Sequence, residues 1–176
     1  MTGLDPAKDV ILEIATIVTD GDLTVLAEGP DLAIYHPESV LATMEEWSSV
    51  HHKASGLLDR VRESEHDCRA AENLTLEFLS NHCSKGRCPL CGNSIWQDRR
   101  FLVKYMTSLD GFLHYRTVDV SSVKELAKRW SPELSPFKKQ KAHLAQADIR
   151  ESISKLKYYR EEIFVSQSRG QVDPPD

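Results

Sequence analysis

The sequence contains no apolar run that approaches the roughly 20 residues of a membrane-spanning helix. It also lacks a basic and then apolar leader ahead of its first strand-like segment, so the residues given predict no targeting signal. We expect a protein without membrane contact that acts inside the cell, with the cytoplasm and mitochondria as the two alternatives.

A surplus of positive charge is absent as well. The 176 residues include 22 Lys and Arg against 27 Asp and Glu, which gives a formal net charge of −5. Strong binding to long nucleic-acid duplexes needs many cationic side chains that displace counterions from phosphates, so this class of partner is disfavoured. Any nucleic-acid ligand should be short.

The length of the chain and its hydrophobic content of 40% fit one domain with a single core. We place this domain at residues 1–165. The remaining residues, 166–176, are mostly polar and end in Asp-Pro-Pro-Asp, so this tail is expected to be disordered.

Cysteine is scarce, with four residues, but three of them lie close together at Cys83, Cys88 and Cys91. With His82 beside them, a zinc site is one interpretation, because two thiolates separated by two residues can bind the same ion. Structural zinc sites usually contain a second pair of ligands further along the chain, and none follows here. The alternative is that these cysteines are reduced thiols beside a short buried strand, where cysteine acts as a small hydrophobic residue.

The first half of the chain predicts a hairpin and then helices. Residues 10–19 are rich in β-branched side chains and end at the turn signal Asp20-Gly21-Asp22, so they should pair with residues 23–36 as an antiparallel hairpin. Apolar residues at helical spacing then predict helices at residues 39–44, 55–63 and 69–82.

The second half alternates strands with helices, which predicts an α/β sheet covered by helices. The predicted elements are strand 89–93, a helix from Ser94 through Tyr105, strand 115–120, helix 121–130 and helix 144–164. In the last helix the predicted buried stripe consists of Ile149, Ile153, Leu156, Tyr159 and Ile163.

Polar residues follow both predicted strands of the second half. Asn93-Ser94 and Asp119-Val120-Ser121 stand at the carboxyl ends of strands, where ligands collect in α/β sheets. Asp98 lies near the start of the next helix and would face the same edge of the sheet. The alternative for Asp98 is an ordinary solvated helix aspartate.

His143 and Asp148 are five positions apart and would share no face of one helix, so they can serve the same site only if His143 precedes the helix that carries Asp148. Carboxylates with a neighbouring histidine are typical of metal-assisted phosphodiester hydrolysis, in which carboxylates hold two Mg²⁺ or Mn²⁺ ions about 4 Å apart. Histidine can accept the proton of the attacking water, because its pKa lies near neutrality. A surface histidine among lysines is the alternative for His143.

Several segments of the chain resemble the oligoribonucleases, a family within the DEDDh-type 3′-to-5′ exonucleases. The similarity extends from Met1 to about Phe164, and the matching segments are MTGLDP, ILEIATIVTD, LAEGP, HHKASGL, CGNSIWQDRRFL, HYRTVDVSSVKELAKRW and HLAQADIRES. The resemblance implies a ribonuclease-H-like fold, with a mixed sheet flanked by helices. It also implies a homodimer that removes nucleotides from the 3′ end of very short single-stranded RNA, down to dinucleotides.

The same resemblance implies roles for individual residues. Asp98 and Asp148 would bind Mg²⁺ or Mn²⁺, and His143 would be the general base. Leu4 would wedge against the bases and Trp47 would stack on one of them, although Trp47 taken alone could be a partly buried loop aromatic. The other candidates would surround the 5′ phosphate, with Tyr115 contributed by the partner subunit: they are His52, Ser94, Tyr115, Arg116 and Ser121.

Two departures from the family pattern lead to a further expectation. Family members carry Trp-x-Asp-x-Glu directly before the segment that matches Met1 to Asp5, and this chain has Ala147 where they have a second aspartate. We therefore expect a shortened form that lacks the family's first strand, has an incomplete two-ion site and shows impaired or no activity. The alternative function is a non-catalytic dimeric module that binds short RNA or dinucleotides.

Overall fold

The computed structural model of the chain describes residues 1–137 and 145–164. It begins with an antiparallel hairpin of β1 (Glu13–Thr19) and β2 (Val25–Ala33). The Asp20 side chain fixes the turn, since its Oδ1 accepts hydrogen bonds from the N–H groups of Asp22 and Thr24 at 2.9 and 2.8 Å. The predicted hairpin is therefore confirmed, with β1 beginning at Glu13 instead of at residue 10.

Four helices follow in residues 38–80: α1 (Glu38–Leu41), α2 (Glu46–Ala54), α3 (Leu57–Glu63) and α4 (Cys68–Ser80). Asp67 caps the start of α4, since its Oδ1 accepts the Ala70 N–H at 2.7 Å. Helix α2 was not predicted. No side chain caps its start, its apolar residues Trp47, Val50 and Ala54 are exposed, and the residue it buries is Ser48.

Strands and helices then alternate, in the order β3 (Pro89–Gly92), α5 (Ile95–Tyr105), α6 (Thr107–Phe112), β4 (His114–Asp119), α7 (Val120–Trp130) and α8 (Ala145–Ile163). Strands β3 and β4 pair in parallel, as expected for strands joined through a helical connection. Helix α6 was not predicted, because its start depends on a distant side chain. Glu72 of α4 accepts the N–H groups of Ser108 and Leu109 at 2.7 and 2.9 Å.

The four strands of the described residues form two separate sheets, β1–β2 and β3–β4. Parallel and antiparallel pairing occur together and helices pack on the strands, so the predicted α/β class is confirmed. Helix α8 contacts β1 and also β3. It therefore connects the two sheets.

The main core lies between the hairpin, α4, α5 and α6. Its buried members are Ile11, Val18, Leu32, Ile34, Ala71, Leu79, Phe101, Leu102, Met106 and Leu109. A second, smaller cluster holds α1 and α3 against the hairpin and consists of Leu12, Ala33, Leu41, Leu57 and Val61.

Helix α8 buries only part of the predicted stripe. Its buried residues are Ser152, Lys155 and Tyr159, of which Tyr159 was predicted. The other members of the predicted stripe are half-buried: Ile149, Ile153, Leu156 and Ile163. The burial of Ser152 and Lys155 was not predicted, because apolar spacing alone does not reveal that α8 packs against polar groups of a neighbouring turn. The predicted tail, residues 166–176, lies outside the described residues.

Candidate active site

The turn that joins β3 to α5 holds Ser94 in a left-handed backbone conformation with φ 50°. The Ser94 N–H donates to Asp119 Oδ1 and to Ser121 Oγ, both at 3.0 Å, and the two serine hydroxyl oxygens are 3.2 Å apart. The ends of the parallel strands therefore bring Ser94 and Ser121 together. Their role in phosphate binding stays a prediction.

Asp119 organises this corner, and sequence reasoning did not include it among the site residues. Its Oδ1 accepts the N–H of Ser121 at 2.8 Å as well as that of Ser94, and so it caps α7. The signal was present in the sequence, because an aspartate directly before a helix is a common cap. We name Ser94, Asp98, Asp119 and Ser121 the strand-end site.

Asp98 lies in the first turn of α5 and is half-buried. Burial raises the pKa of its carboxyl group from 3.8 to about 6, and the charge of Asp119 adds to the increase, while a hydrogen bond from the backbone opposes it. Asp98 is therefore not the ordinary solvated aspartate of the alternative interpretation. A nearby cation would stabilise this partly desolvated carboxylate, because an opposite charge favours the ionised form.

Asp148 is exposed and lies in the first turn of α8. The start of α8 is attached to β1, because the Ala145 N–H donates to Glu13 Oε2 at 2.8 Å. Glu13 also pairs with Arg60, which in turn bonds to Asp31 at 3.0 Å. Burial raises the pKa of Glu13, and the hydrogen bond from Ala145 opposes that increase. Sequence reasoning missed this contact, because the partners are far apart in the chain.

Helix α8 also reaches the β3–α5 turn through Asn93. Asn93 Nδ2 donates to Ser152 Oγ at 2.5 Å, and Asn93 Oδ1 accepts from Lys155 Nζ at 3.0 Å. Ser152 Oγ donates to the backbone carbonyl of Asp148 at 2.8 Å. We name these contacts the Asn93 bridge. They connect the turn that precedes Asp98 with the part of α8 that carries Asp148.

The predicted base-contact residues lie on exposed surfaces. Leu4 is 69% exposed, and its carbonyl accepts hydrogen bonds from the Gln97 side chain and, at 3.4 Å, from Arg100. Trp47 is 66% exposed and stacks on His51 with ring centroids 4.0 Å apart. Trp47 is therefore more accessible than the partly buried loop aromatic of the alternative interpretation. Leu4 is connected to α5, one position before Asp98, whereas Trp47 contacts its own helix.

The half-buried His52 lies near the start of the chain, where its Nε2 is 2.9 Å from the Met1 carbonyl oxygen. A hydrogen bond across this contact requires the tautomer in which Nε2 carries the proton. The same ring is therefore held beside the segment that presents Leu4. Its predicted contact with the 5′ phosphate remains a prediction.

Tyr115 and Arg116 lie on β4, which is exposed along most of its length. Tyr115 is 72% exposed, and the Arg116 guanidinium carbon is 5.2 Å from the centroid of its ring. A cavity of about 460 Å³ beside the strand-end site is lined by Ser94 and Ser121 together with Trp96, Asp119, Ser122, Glu125, Leu126 and Arg129. The structure thus places two predicted phosphate ligands in one cavity. Tyr115 and Arg116 are not among its lining residues.

The family of the chain is settled by comparison with known proteins. The exonuclease family model RNase_T matches residues 1–156. A protein named oligoribonuclease from Dichelobacter nodosus is 55% identical over 168 residues, which cover 96% of this chain and 93% of the relative. The oligoribonuclease of Shewanella loihica is 56% identical over 165 residues, 93% of this chain and 91% of the relative. The chain belongs to the oligoribonuclease family.

Membership of this family confirms the predicted enzyme class, a 3′-to-5′ exoribonuclease. It also confirms the predicted ribonuclease-H-like fold, which the family model implies. None of the helices in residues 1–137 and 145–164 is long and apolar enough to cross a membrane.

Enzymes of the exonuclease family generally use divalent metal ions. In the described residues of this oligoribonuclease family member, no three His, Cys, Asp or Glu side chains come together as a ligand group. Asp98 and Asp148 alone do not fit a two-ion centre, and His143 lies outside the described residues.

The three clustered cysteines, Cys83, Cys88 and Cys91, form no such ligand group either, so the zinc interpretation is not supported. Burial and the neighbouring Cys88 thiol raise the pKa of Cys83 to about 11.

Proposed function

We propose that this exoribonuclease acts on very short single-stranded RNA, and above all on 5′-phosphorylated dinucleotides. The observation that carries the proposal is the pairing of Ser94 and Ser121 beside a cavity of about 460 Å³. Both serines stand at the starts of helices, α5 and α7, where the helix dipole favours a phosphate group. A phosphate held at this point limits the length of RNA that can extend past it.

The predicted base-contact residues, Leu4 and Trp47, suit substrates of any sequence. The exposed Trp47 ring and the exposed Leu4 side chain offer apolar surfaces to bases but no pattern of hydrogen-bond donors. Stacking on an aromatic ring tolerates every base, because every base has a flat face. We therefore propose that phosphate contacts position the substrate and that the bases are bound without sequence selection.

We further propose that Mg²⁺ or Mn²⁺ is required, with Asp98 and Asp148 as ligands of an incomplete two-ion site and His143 as the general base. Because no three potential metal ligands come together in the described residues, we expect turnover slower than that of the relatives named above.

A homodimer is the proposed assembly, and exposed apolar side chains of α5, β4 and α7 support it. The exposed fractions of Trp96, Tyr115, Leu126 and Trp130 are 56%, 72%, 39% and 64%. Large exposed apolar side chains are candidates for an interaction surface. A second copy is the proposed occupant, and its Tyr115 would reach the neighbouring strand-end site. Sedimentation equilibrium at micromolar concentration tests this, and a purely monomeric species of 19.9 kDa would contradict it.

The second candidate function is a non-catalytic module that binds dinucleotides. In its favour, no three potential metal-ligating side chains come together in residues 1–137 and 145–164. Incubation of 5′-labelled dinucleotides with Mn²⁺ and the 176-residue chain separates the two, because only the enzyme yields mononucleotides. His143→Ala should reduce that rate about a hundredfold, the size expected for loss of a general base. An unchanged rate in this variant would remove His143 from the mechanism.

The compartment also stays a proposal. We infer that the protein acts inside the cell, where short RNA fragments arise. The relatives named above are bacterial proteins, which gives no support to the mitochondrial alternative.

A further inference from the structure

Lys155 carries a positive charge in a buried position, which is unusual for lysine. It is 4% exposed, whereas Lys157 on the same helix is exposed. Burial of an ammonium group is unfavourable unless polar or charged groups surround it. Lys155 Nζ lies 3.0 Å from Asn93 Oδ1, 3.7 Å from a Glu151 carboxylate oxygen and 5.8 Å from the centre of the Phe137 ring. These contacts compensate the burial, and one of them leads directly to the active-site turn.

We propose that Lys155 and Ser152 are positioning residues, which hold the Asn93 side chain and so fix the turn before Asp98 relative to Asp148. The proposal rests on the proposed function, since it concerns the same site. Its basis is the Asn93 side-chain amide, whose nitrogen and oxygen are both hydrogen-bonded to residues of α8. Asn93 Nδ2 donates to Ser152, and Asn93 Oδ1 accepts from Lys155.

The spacing of the two residues on α8 makes the contact specific. Ser152 and Lys155 are three positions apart, so they lie on one face of the helix and reach the same side chain. Ser152 is bound in addition to the carbonyl of Asp148, one turn earlier. A shift of the Asn93 amide therefore disturbs hydrogen bonds that lead directly to the backbone of Asp148.

The β3–α5 turn is held on two sides by different elements. Asn93 attaches it to α8, while the Ser94 N–H attaches it to Asp119 and Ser121 at the start of α7. Loss of Lys155 should therefore loosen the α8 side and leave the phosphate-binding side in place. Turnover depends on the α8 side, where Asp148 lies, and binding of the 5′ phosphate depends on the α7 side. A change on the α8 side should therefore appear in kcat, and a change on the α7 side should appear in KM.

The test uses Lys155→Met in the full chain, with Lys157→Met as the matched control on the exposed face of α8. Methionine fills a similar space without the charge. We expect kcat for a 5′-phosphorylated dinucleotide to fall about tenfold or more, because small displacements of reacting groups cost this much, while KM changes less than about twofold. Lys155→Arg should recover part of kcat, because its guanidinium group can still donate to Asn93. Lys157→Met should match the unaltered protein.

A second measurement follows the Asn93 amide itself by NMR, in the absence of metal and RNA. Lys155→Met and Ser152→Ala should each shift the Asn93 side-chain NH₂ signals and the Asp98 backbone amide signal. Unchanged signals in both variants, or an unchanged kcat in folded Lys155→Met, would overturn the proposal. Should the unaltered protein not hydrolyse dinucleotides, the proposed function fails, and the NMR signals alone decide whether Lys155 holds the turn. Should Lys155→Met not fold, Ser152→Ala supplies the same two readouts.

Discussion

The strand-end site and the base-contact residues differ in how their side chains are held. Ser94, Asp119 and Ser121 bond to one another, with donor–acceptor distances between 2.8 and 3.2 Å. Trp47 and Leu4, in contrast, are about two-thirds exposed, and Leu4 is held through its backbone carbonyl. The difference agrees with the proposed function, in which the strand-end site would fix the phosphate and Trp47 and Leu4 would offer apolar surface to any base.

The largest effect is expected for Asp98→Asn, because this change removes a charge from the strand-end site without changing the shape of the side chain. We expect the rate of dinucleotide hydrolysis to fall about a hundredfold or more, the usual cost of losing one electrostatic contact at a reacting centre. The exposed Asp59→Asn on α3 is the control and should keep the full rate. A normal rate in Asp98→Asn would place the chemistry elsewhere.

The double variant Ser94→Ala, Ser121→Ala tests whether this site binds phosphate. Loss of hydrogen bonds to a charged group should raise KM for 5′-phosphorylated dinucleotides about tenfold. Dinucleotides without a 5′ phosphate should be little affected, since they lack the group that the serines bind. Ser154→Ala, which removes a hydroxyl bonded to its own helix, is the control. An equal effect on both substrates would show that the serines act on the fold instead.

A smaller and sequence-independent effect is expected for Trp47→Ala. Loss of one stacking platform should raise KM severalfold, and by the same factor for purine and pyrimidine dinucleotides. Trp47→Phe should retain most of the affinity because it keeps a ring. A loss confined to one base would mean that the region reads sequence, which would remove the contrast between the two regions.

The smallest effect on activity is expected at the cysteines, which lie outside both regions. With a pKa raised from 9.0 to about 11, Cys83 is almost wholly protonated at neutral pH. Its alkylation by iodoacetamide should therefore be slow at pH 7.5 and should still accelerate as the pH rises past 9, because the thiolate is the reactive form. Mass spectrometry of the alkylated peptide measures this rate. Fast labelling of Cys83 at pH 7.5 would contradict the raised pKa.

The parts of the fold that depend on neighbouring residues were predictable, and those that depend on distant contacts were not. The β1–β2 hairpin follows from β-branched residues and the Asp20 turn. Helix α6 depends on Glu72, which lies on another helix, and α2 has no capping side chain that marks its start.

The candidate site shows the same limit. The positions of Ser94 and Ser121 follow from strand ends, since parallel strands finish at one edge. The burial of Lys155 and the contact of Glu13 with Ala145 join residues that are far apart in the chain, and a single sequence carries no signal for either.

The dependence of the hydrolysis rate on RNA length tests most directly whether the strand-end site serves very short RNA. Hydrolysis rates of 5′-phosphorylated RNAs from two to seven nucleotides should be measured with Mn²⁺ at equal concentrations below saturation. We predict that kcat/KM is highest for the dinucleotide and falls by about tenfold or more for the longest RNA, as expected if the phosphate proposed between α5 and α7 restricts the space for further nucleotides. Equal rates at all lengths, or dinucleotides that bind without being cut, would contradict the account.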